Sequence, residues 1–239
     1  MKKIIAIILC ALLILTLAAC RSESEVLEPD TPAVTAATPV AEEPADPIIE
    51  EEPIAQNEPE EEPHPLARQG EITHIVIHFI SNVIANRTDP FNIDDILGIF
   101  ERYGVNAHYL IDRDGTIHMV VPEYHVAFHA GRGSLPDFPE YENLLNEHSI
   151  GIELLGIGTQ EEMSQFITAA EYQALDPSFI GFTDAQYVAL NQLINEILAR
   201  HPGILPDRRH IIGHDEYAPD KPDPGALFEW HRLDFYIGR

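Results

Sequence analysis

Lysine is almost missing from this chain. Of 239 residues, only Lys2, Lys3 and Lys221 carry that side chain, and arginine supplies every other basic group. Cysteine is scarcer still, with Cys10 and Cys20 alone. Cys10 lies inside an N-terminal apolar run, so a chain that loses this run keeps one thiol and can form no internal disulfide. Its stability must then come from a packed core. Positive charge is short throughout: 14 Lys and Arg stand against 40 Asp and Glu, a formal net charge of −26. A phosphate backbone needs a basic face, so nucleic acid is excluded as a partner. Long apolar runs are also lacking, because Ile4 to Leu17 falls short of the ~20 residues a spanning helix needs.

What the chain does have begins at that run. Met1-Lys2-Lys3 is a basic start, Ile4 to Leu17 is apolar, and Leu17-Ala18-Ala19-Cys20 puts small residues before a cysteine. The pattern is that of a secretory signal. Its ending resembles a bacterial lipoprotein signal. That resemblance implies removal of residues 1–19, lipidation of the Cys20 thiol, and a protein anchored to the membrane outside the cytoplasm, facing the cell wall. Residues 20–70 read as a tether. Between 21 and 70 there are nine prolines and fourteen acidic residues, two arginines and no aromatic residue. Such a segment buries too little surface to offset its ordering entropy. It should be self-repelling and partly extended, reaching at most ~150 Å at ~3.1 Å per residue, and dispensable for folding.

Residues 71–239 are long enough for one domain with a real core. Ile72 to Ile80 is rich in β-branched residues and predicts a buried strand ending near His78. Asn92 caps a helix to about Tyr103, with Asp94 and Asp95 in its first turn and Gly104 as its stop. Asn106–Asp112 and Thr116–Val121 form a hairpin through Asp112-Arg113-Asp114-Gly115. Ser149 to Leu155 is another strand, and a helix is expected near Glu161 to Leu175. Thr183 and Gln186 make a capping box for a long helix whose apolar stripe is Tyr187, Leu190, Leu193, Ile194, Ile197 and Leu198. Arg209 to Gly213 is the last strand. The expected fold class is α/β: a single domain with a mixed central β-sheet flanked by helices.

The chemistry-bearing residues are each ambiguous alone. His78 ends an apolar strand, where a histidine is more often a satisfied core residue, and His74 reads as one. His214 and Asp223 flank a loop held by Pro219, Pro222 and Pro224; both residue types ligate zinc, and the prolines restrict the loop before any metal arrives. Lys221 sits two residues before Asp223, where a solvated lysine is the ordinary reading. Glu153 interrupts the apolar strand Ile150-Gly151-Ile152-Glu153-Leu154, and a buried carboxylate is costly unless paired or functional. His129 precedes Ala130-Gly131 in a small-residue turn.

Six segments together resemble the zinc amidase family that contains bacterial N-acetylmuramoyl-L-alanine amidases, phage endolysin amidases and animal peptidoglycan recognition proteins. They are Ile75-Val76-Ile77-His78, Ala107-His108-Tyr109 through Asp114-Gly115, Phe128-His129-Ala130-Gly131, Ser149-Ile150-Gly151-Ile152-Glu153, Phe182-Thr183-Asp184-Ala185-Gln186, and Gly213-His214 through Lys221-Pro222-Asp223-Pro224-Gly225. They occur in the family's order and span about 72 to 230. The resemblance implies Zn2+ on His78, His214 and Asp223, and catalysis by Glu153 and Lys221. Some members use a tyrosine where this chain has Ala107, so that variant is absent. His129 is assigned to the substrate groove or to supporting a ligand. A three-ligand zinc leaves a position for water and lowers its pKa to ~7. Glu153 can take the water's proton, and Lys221 can stabilise the oxyanion. The implied reaction cleaves the amide between N-acetylmuramic acid and L-alanine in peptidoglycan. The alternative is an inactive peptidoglycan-binding receptor of the same fold. No obligate protein partner is inferred.

Overall fold

The structure is a computed structural model that describes residues 66–237. The expected signal segment, Cys20 and the expected tether up to residue 65 lie outside the described residues. A five-stranded sheet organises the fold: β1 (His74–Ile80), β2 (Tyr109–Ile111), β3 (Ile117–Met119), β4 (Ser149–Leu155) and β5 (Ile211–Gly213), in the order β3-β2-β4-β1-β5. β2, β4, β1 and β5 run parallel, and β3 pairs antiparallel with β2. The expected mixed α/β architecture is therefore present. Central parallel strands are covered on both faces, which is why β1 and β4 are apolar along nearly their whole length.

The two faces are packed differently. Odd positions of β1 and even positions of β4 point to one side, where Ile75, Ile77, Ile150, Ile152 and Leu154 are buried. They meet α4 (Asp184–Arg200), whose Tyr187, Leu190, Leu193, Ile194 and Ile197 form the expected stripe. The α4 start is as read from sequence: the Thr183 hydroxyl accepts from the Gln186 backbone, and the Gln186 side chain accepts from the Thr183 N–H. The Gln186 amide then donates to the carbonyls of Ile111 and Leu155, pinning the ends of β2 and β4. On the other face α1 (Ile93–Tyr103) buries Ile96 and Phe100 against Leu110 and Leu155. Asn92 accepts from Asp95 N, and Gly104 closes α1 in the left-handed region at φ 64°. That face also carries His74, His78, Gly151 and Glu153.

One expectation needs correction. The helix near Glu161–Leu175 is two pieces: a 3₁₀ turn at Glu162–Gln165 and α3 (Ala169–Gln173). Thr168 lies between them in extended conformation, and its hydroxyl accepts from Glu171 N. A side chain that offers the backbone a local partner ends one turn and starts another. Arg68, inside the segment expected as tether, also packs on the domain. Arg68 donates to four backbone carbonyls: Asn146 at 2.9 Å, His125 at 3.0 Å, Glu123 and Ser149 at 3.1 Å. Its guanidinium ties the segment before β1 to the loop after β3 and to the start of β4. Arg68→Ala should destabilise the protein by roughly 2–3 kcal/mol, because it removes charge-assisted bonds and leaves carbonyls unpaired. Denaturant unfolding checks this; a change within about 0.5 kcal/mol would show that Arg68 is a surface decoration.

Candidate active site

Alternation along the parallel strands builds the site. His78 and Glu153 are register partners on β1 and β4, so both leave the sheet on the same face and at the same level. β5 delivers the chain to the same edge, where α5 (His214–Tyr217) starts at His214. The Gly213 N–H donates to Glu216 Oε1 at 2.7 Å, which holds that turn. The loop then folds back, and Asp215 N donates to Asp223 O at 2.8 Å. This contact returns Asp223 to His214 across nine residues of sequence.

The result is a buried cluster. Asp223 Oδ2 lies 2.8 Å from His78 Nδ1 and 2.9 Å from His214 Nδ1. The donor atoms of His78, His214 and Asp223 all lie within 4.8 Å of one another. Burial works to raise the Asp223 pKa, but the close contacts with His214 and His78 outweigh it and hold the carboxylate ionised. Burial, with His214 beside it, lowers His78 to about 4, so its ring is neutral near pH 7. His214 Nε2 lies 3.1 Å from the Ala130 carbonyl. A carbonyl only accepts, so Nε2 carries a proton, and the Nδ1 side of the ring faces the Asp223 oxygen. Two imidazole nitrogens and a carboxylate oxygen gathered within 4.8 Å are a donor set that fits a metal ion, and these three residues can hold one.

Glu153 stands beside this cluster. It is half-buried at the cleft, and its Oε2 is shut from solvent with no hydrogen-bond partner among the described residues. Burial, then the charge of Asp223, push its pKa well above the ordinary carboxylate value. A carboxyl that shares a site with an ionised neighbour and has no donor of its own is suited to moving a proton. Lys221 is exposed and lines the same cleft. The cleft has a volume of about 350 Å³ and apolar walls that include Phe100, Val105, Phe128 and Phe166.

Residues 68–226 match the family described as N-acetylmuramoyl-L-alanine amidase. The chain belongs to this family. It is 33% identical over 175 residues to the 1,6-anhydro-N-acetylmuramyl-L-alanine amidase AmpD of Haemophilus influenzae, covering 68% of this chain and 80% of that protein. To AmpD of Citrobacter freundii it is 36% identical over 130 residues, about half of each chain (54% and 55%). Among solved structures, the Escherichia coli amidase AmiD, in complex with its substrate anhydro-N-acetylmuramic acid-L-Ala-D-gamma-Glu-L-Lys, aligns with a TM-score of 0.50 at 30% identity, covering 70% of this chain and 58% of that one. AmpDh3 of Pseudomonas aeruginosa shares the fold, with a TM-score of 0.51 at 22% identity, over 77% of this chain and 65% of that one.

In this amidase the residues singled out from sequence do meet. His78, His129, Glu153, His214, Lys221 and Asp223 line one cleft. Of the two expectations for His129, lining the groove or supporting a ligand, its contacts fit the second: it is buried, and its two ring nitrogens face His78 Nε2 and Ser149 Oγ, which leaves neither for a substrate. Sequence reasoning missed Arg68, Asn146 and Ser149. Asn146 Oδ1 accepts from the backbone N–H groups of His129 and Ala130 and so fixes the turn that carries His129. Nothing near Asn146 in sequence signals this. Arg68 did leave a trace, as one of only two arginines in an acidic segment.

Proposed function

We propose that this amidase hydrolyses the bond between the lactyl group of N-acetylmuramic acid and L-alanine of the stem peptide, with Zn2+ held by His78, His214 and Asp223. The observation that carries this reading is the convergence of two imidazole nitrogens on one ionised carboxylate beside the buried, unpartnered Oε2 of Glu153. When bound, zinc would act as a Lewis acid at the scissile carbonyl and acidify a water at neutral pH. Glu153 takes the proton of the attacking water and hands it to the leaving nitrogen of L-alanine. Water oxygen bonds to the carbonyl carbon, the C–N bond breaks, and the products are a lactyl carboxylate and a free amine. Lys221 offers positive charge to the carbonyl oxygen as it becomes anionic. The apolar walls limit the water that competes for these groups. The filled ligand positions favour an enzyme over a receptor that only binds peptidoglycan.

The test is a digest of purified peptidoglycan and of anhydromuropeptides, with products identified by mass. Free stem peptides beginning at L-alanine are expected, chelation should stop their release, and zinc should restore it. Cuts within the peptide or the glycan would refute the assignment. Lys221→Arg keeps charge but changes the shape of the head group. It should lower turnover about 10–10³-fold, and unchanged turnover would remove Lys221 from the mechanism.

The Leu17-Ala18-Ala19-Cys20 ending supports attachment to the membrane through a lipid on Cys20, with the acidic tether carrying the catalytic domain toward the cell wall. Labelled fatty acid should enter the protein, and Cys20→Ser should abolish it. Equal labelling of both forms would place any lipid elsewhere.

A further inference from the structure

His78 reaches the metal site through one nitrogen and the protein interior through the other. Its Nε2 lies 3.1 Å from His129 Nδ1. His129 Nε2 lies 3.2 Å from Ser149 Oγ, and Ser149 Oγ lies 2.6 Å from the carbonyl of Leu145, in α2 (Leu145–His148). Each proton in this chain can be placed by elementary rules. A carbonyl oxygen only accepts, and a serine hydroxyl has one proton, so at 2.6 Å that proton goes to Leu145. The lone pairs of Ser149 Oγ then accept from His129 Nε2–H. A neutral imidazole protonated on Nε2 has an accepting Nδ1. His129 Nδ1 therefore accepts from His78 Nε2–H, and His78 is left with a bare lone pair on Nδ1. That is the nitrogen 2.8 Å from Asp223 Oδ2, inside the metal cluster.

The sheet makes room for this chain. A Cβ at Gly151 would fall on the imidazole of His129, well inside contact distance of its Cγ, Cδ2 and Nδ1. The glycine in Ile150-Gly151-Ile152-Glu153 thus lets a histidine ring lie against β4. His129 is itself held from behind, because Asn146 fixes its backbone N–H.

We propose that Ser149 and His129 are positioning residues that set the tautomer of His78 and so present its Nδ1 lone pair to the metal. This rests on the metal reading above. Metal-ligating histidines commonly donate their second N–H to a carboxylate, carbonyl or water, and loss of such a partner costs about 10–100-fold in metal affinity. Here the partner is a second histidine, which can donate or accept, so a third residue must decide its direction. Ser149 makes that decision through the Leu145 carbonyl.

The experiment measures Zn2+ affinity of the full-length protein by competition with a chelating dye. Ser149→Ala and His129→Leu should each weaken binding about 10–100-fold. His129→Asn carries an amide oxygen near the position of Nδ1 and can accept from His78. It should bind zinc more tightly than His129→Leu, although a buried amide packs worse than a leucine. Melting of the zinc-free proteins shows which variants are folded; if His129→Leu is not, the affinity of Ser149→Ala decides. Wild-type affinity in Ser149→Ala, or equal losses in the Leu and Asn variants, would overturn the relay. A wild-type protein that binds no zinc takes down the metal reading and the relay together.

Discussion

Asp223→Ala should yield a protein that neither retains zinc nor cleaves muropeptides. Its carboxylate lies within 2.9 Å of both imidazoles and is the only anion of the cluster. The environment keeps it charged: burial opposes ionisation, and the close contacts with His214 and His78 more than reverse that effect. Removing it takes away a ligand and the negative charge that draws a dication into a buried pocket. The loss in affinity should exceed the roughly 10–100-fold that follows loss of a supporting hydrogen bond, and turnover should fall to background. Asp220→Ala, an exposed change three residues earlier in the same loop, is the control and should behave as wild type. Zinc content by elemental analysis and amidase turnover are the readouts. An Asp223→Ala protein that holds one zinc per chain would show that the cluster is not the metal site.

Glu153→Gln should separate binding from chemistry. Glutamine keeps the shape and the hydrogen-bonding reach of glutamate but cannot accept the proton of water. Zinc should remain bound while turnover falls by about 10²–10⁴-fold, the usual range for loss of a general base. The same group should show in the stability of the zinc-free protein. Burial, helped by the Asp223 charge, raises the Glu153 pKa above its ordinary 4.5. A raised folded-state pKa means the folded protein holds this proton more tightly than the unfolded chain. The linked stability is full below the unfolded-state pKa and is lost as pH rises through the folded-state value. The zinc-free Glu153→Gln protein should thus melt higher than zinc-free wild type at neutral pH and no higher at pH 4. Identical melting curves with undiminished turnover would make the carboxylate a bystander.

Much of the framework was legible from local signals. Thr183 with Gln186, Asn92 with Gly104, and the Asp112–Gly115 turn act within a few residues, so sequence alone marks where α4, α1 and the β2–β3 hairpin begin or end. The continuous apolar run of Ser149–Leu155 marks β4, and the carboxylate inside it marks Glu153 as out of place. Local signals failed where two of them competed. Residues 161–175 have helical composition, but Thr168 offers the backbone an alternative partner and the helix breaks there. They failed too at Arg68, whose partners lie 40 to 81 residues away.

What the sequence by itself determined is the set of chemical groups: two histidines and an aspartate able to hold a metal, a glutamate, a lysine, and the strands and helices that carry them. Tertiary structure alone decided their arrangement. Parallel register puts His78 level with Glu153, and the return of the 214–223 loop brings Asp223 to both imidazoles. It also decided which nitrogen each ring presents, because that choice depends on the Ala130 carbonyl for His214 and on His129, Ser149 and Leu145 for His78. Those partners lie on chain segments far apart in sequence. An imidazole has two nearly equivalent tautomers in isolation, so only groups brought against its far side by folding can select one.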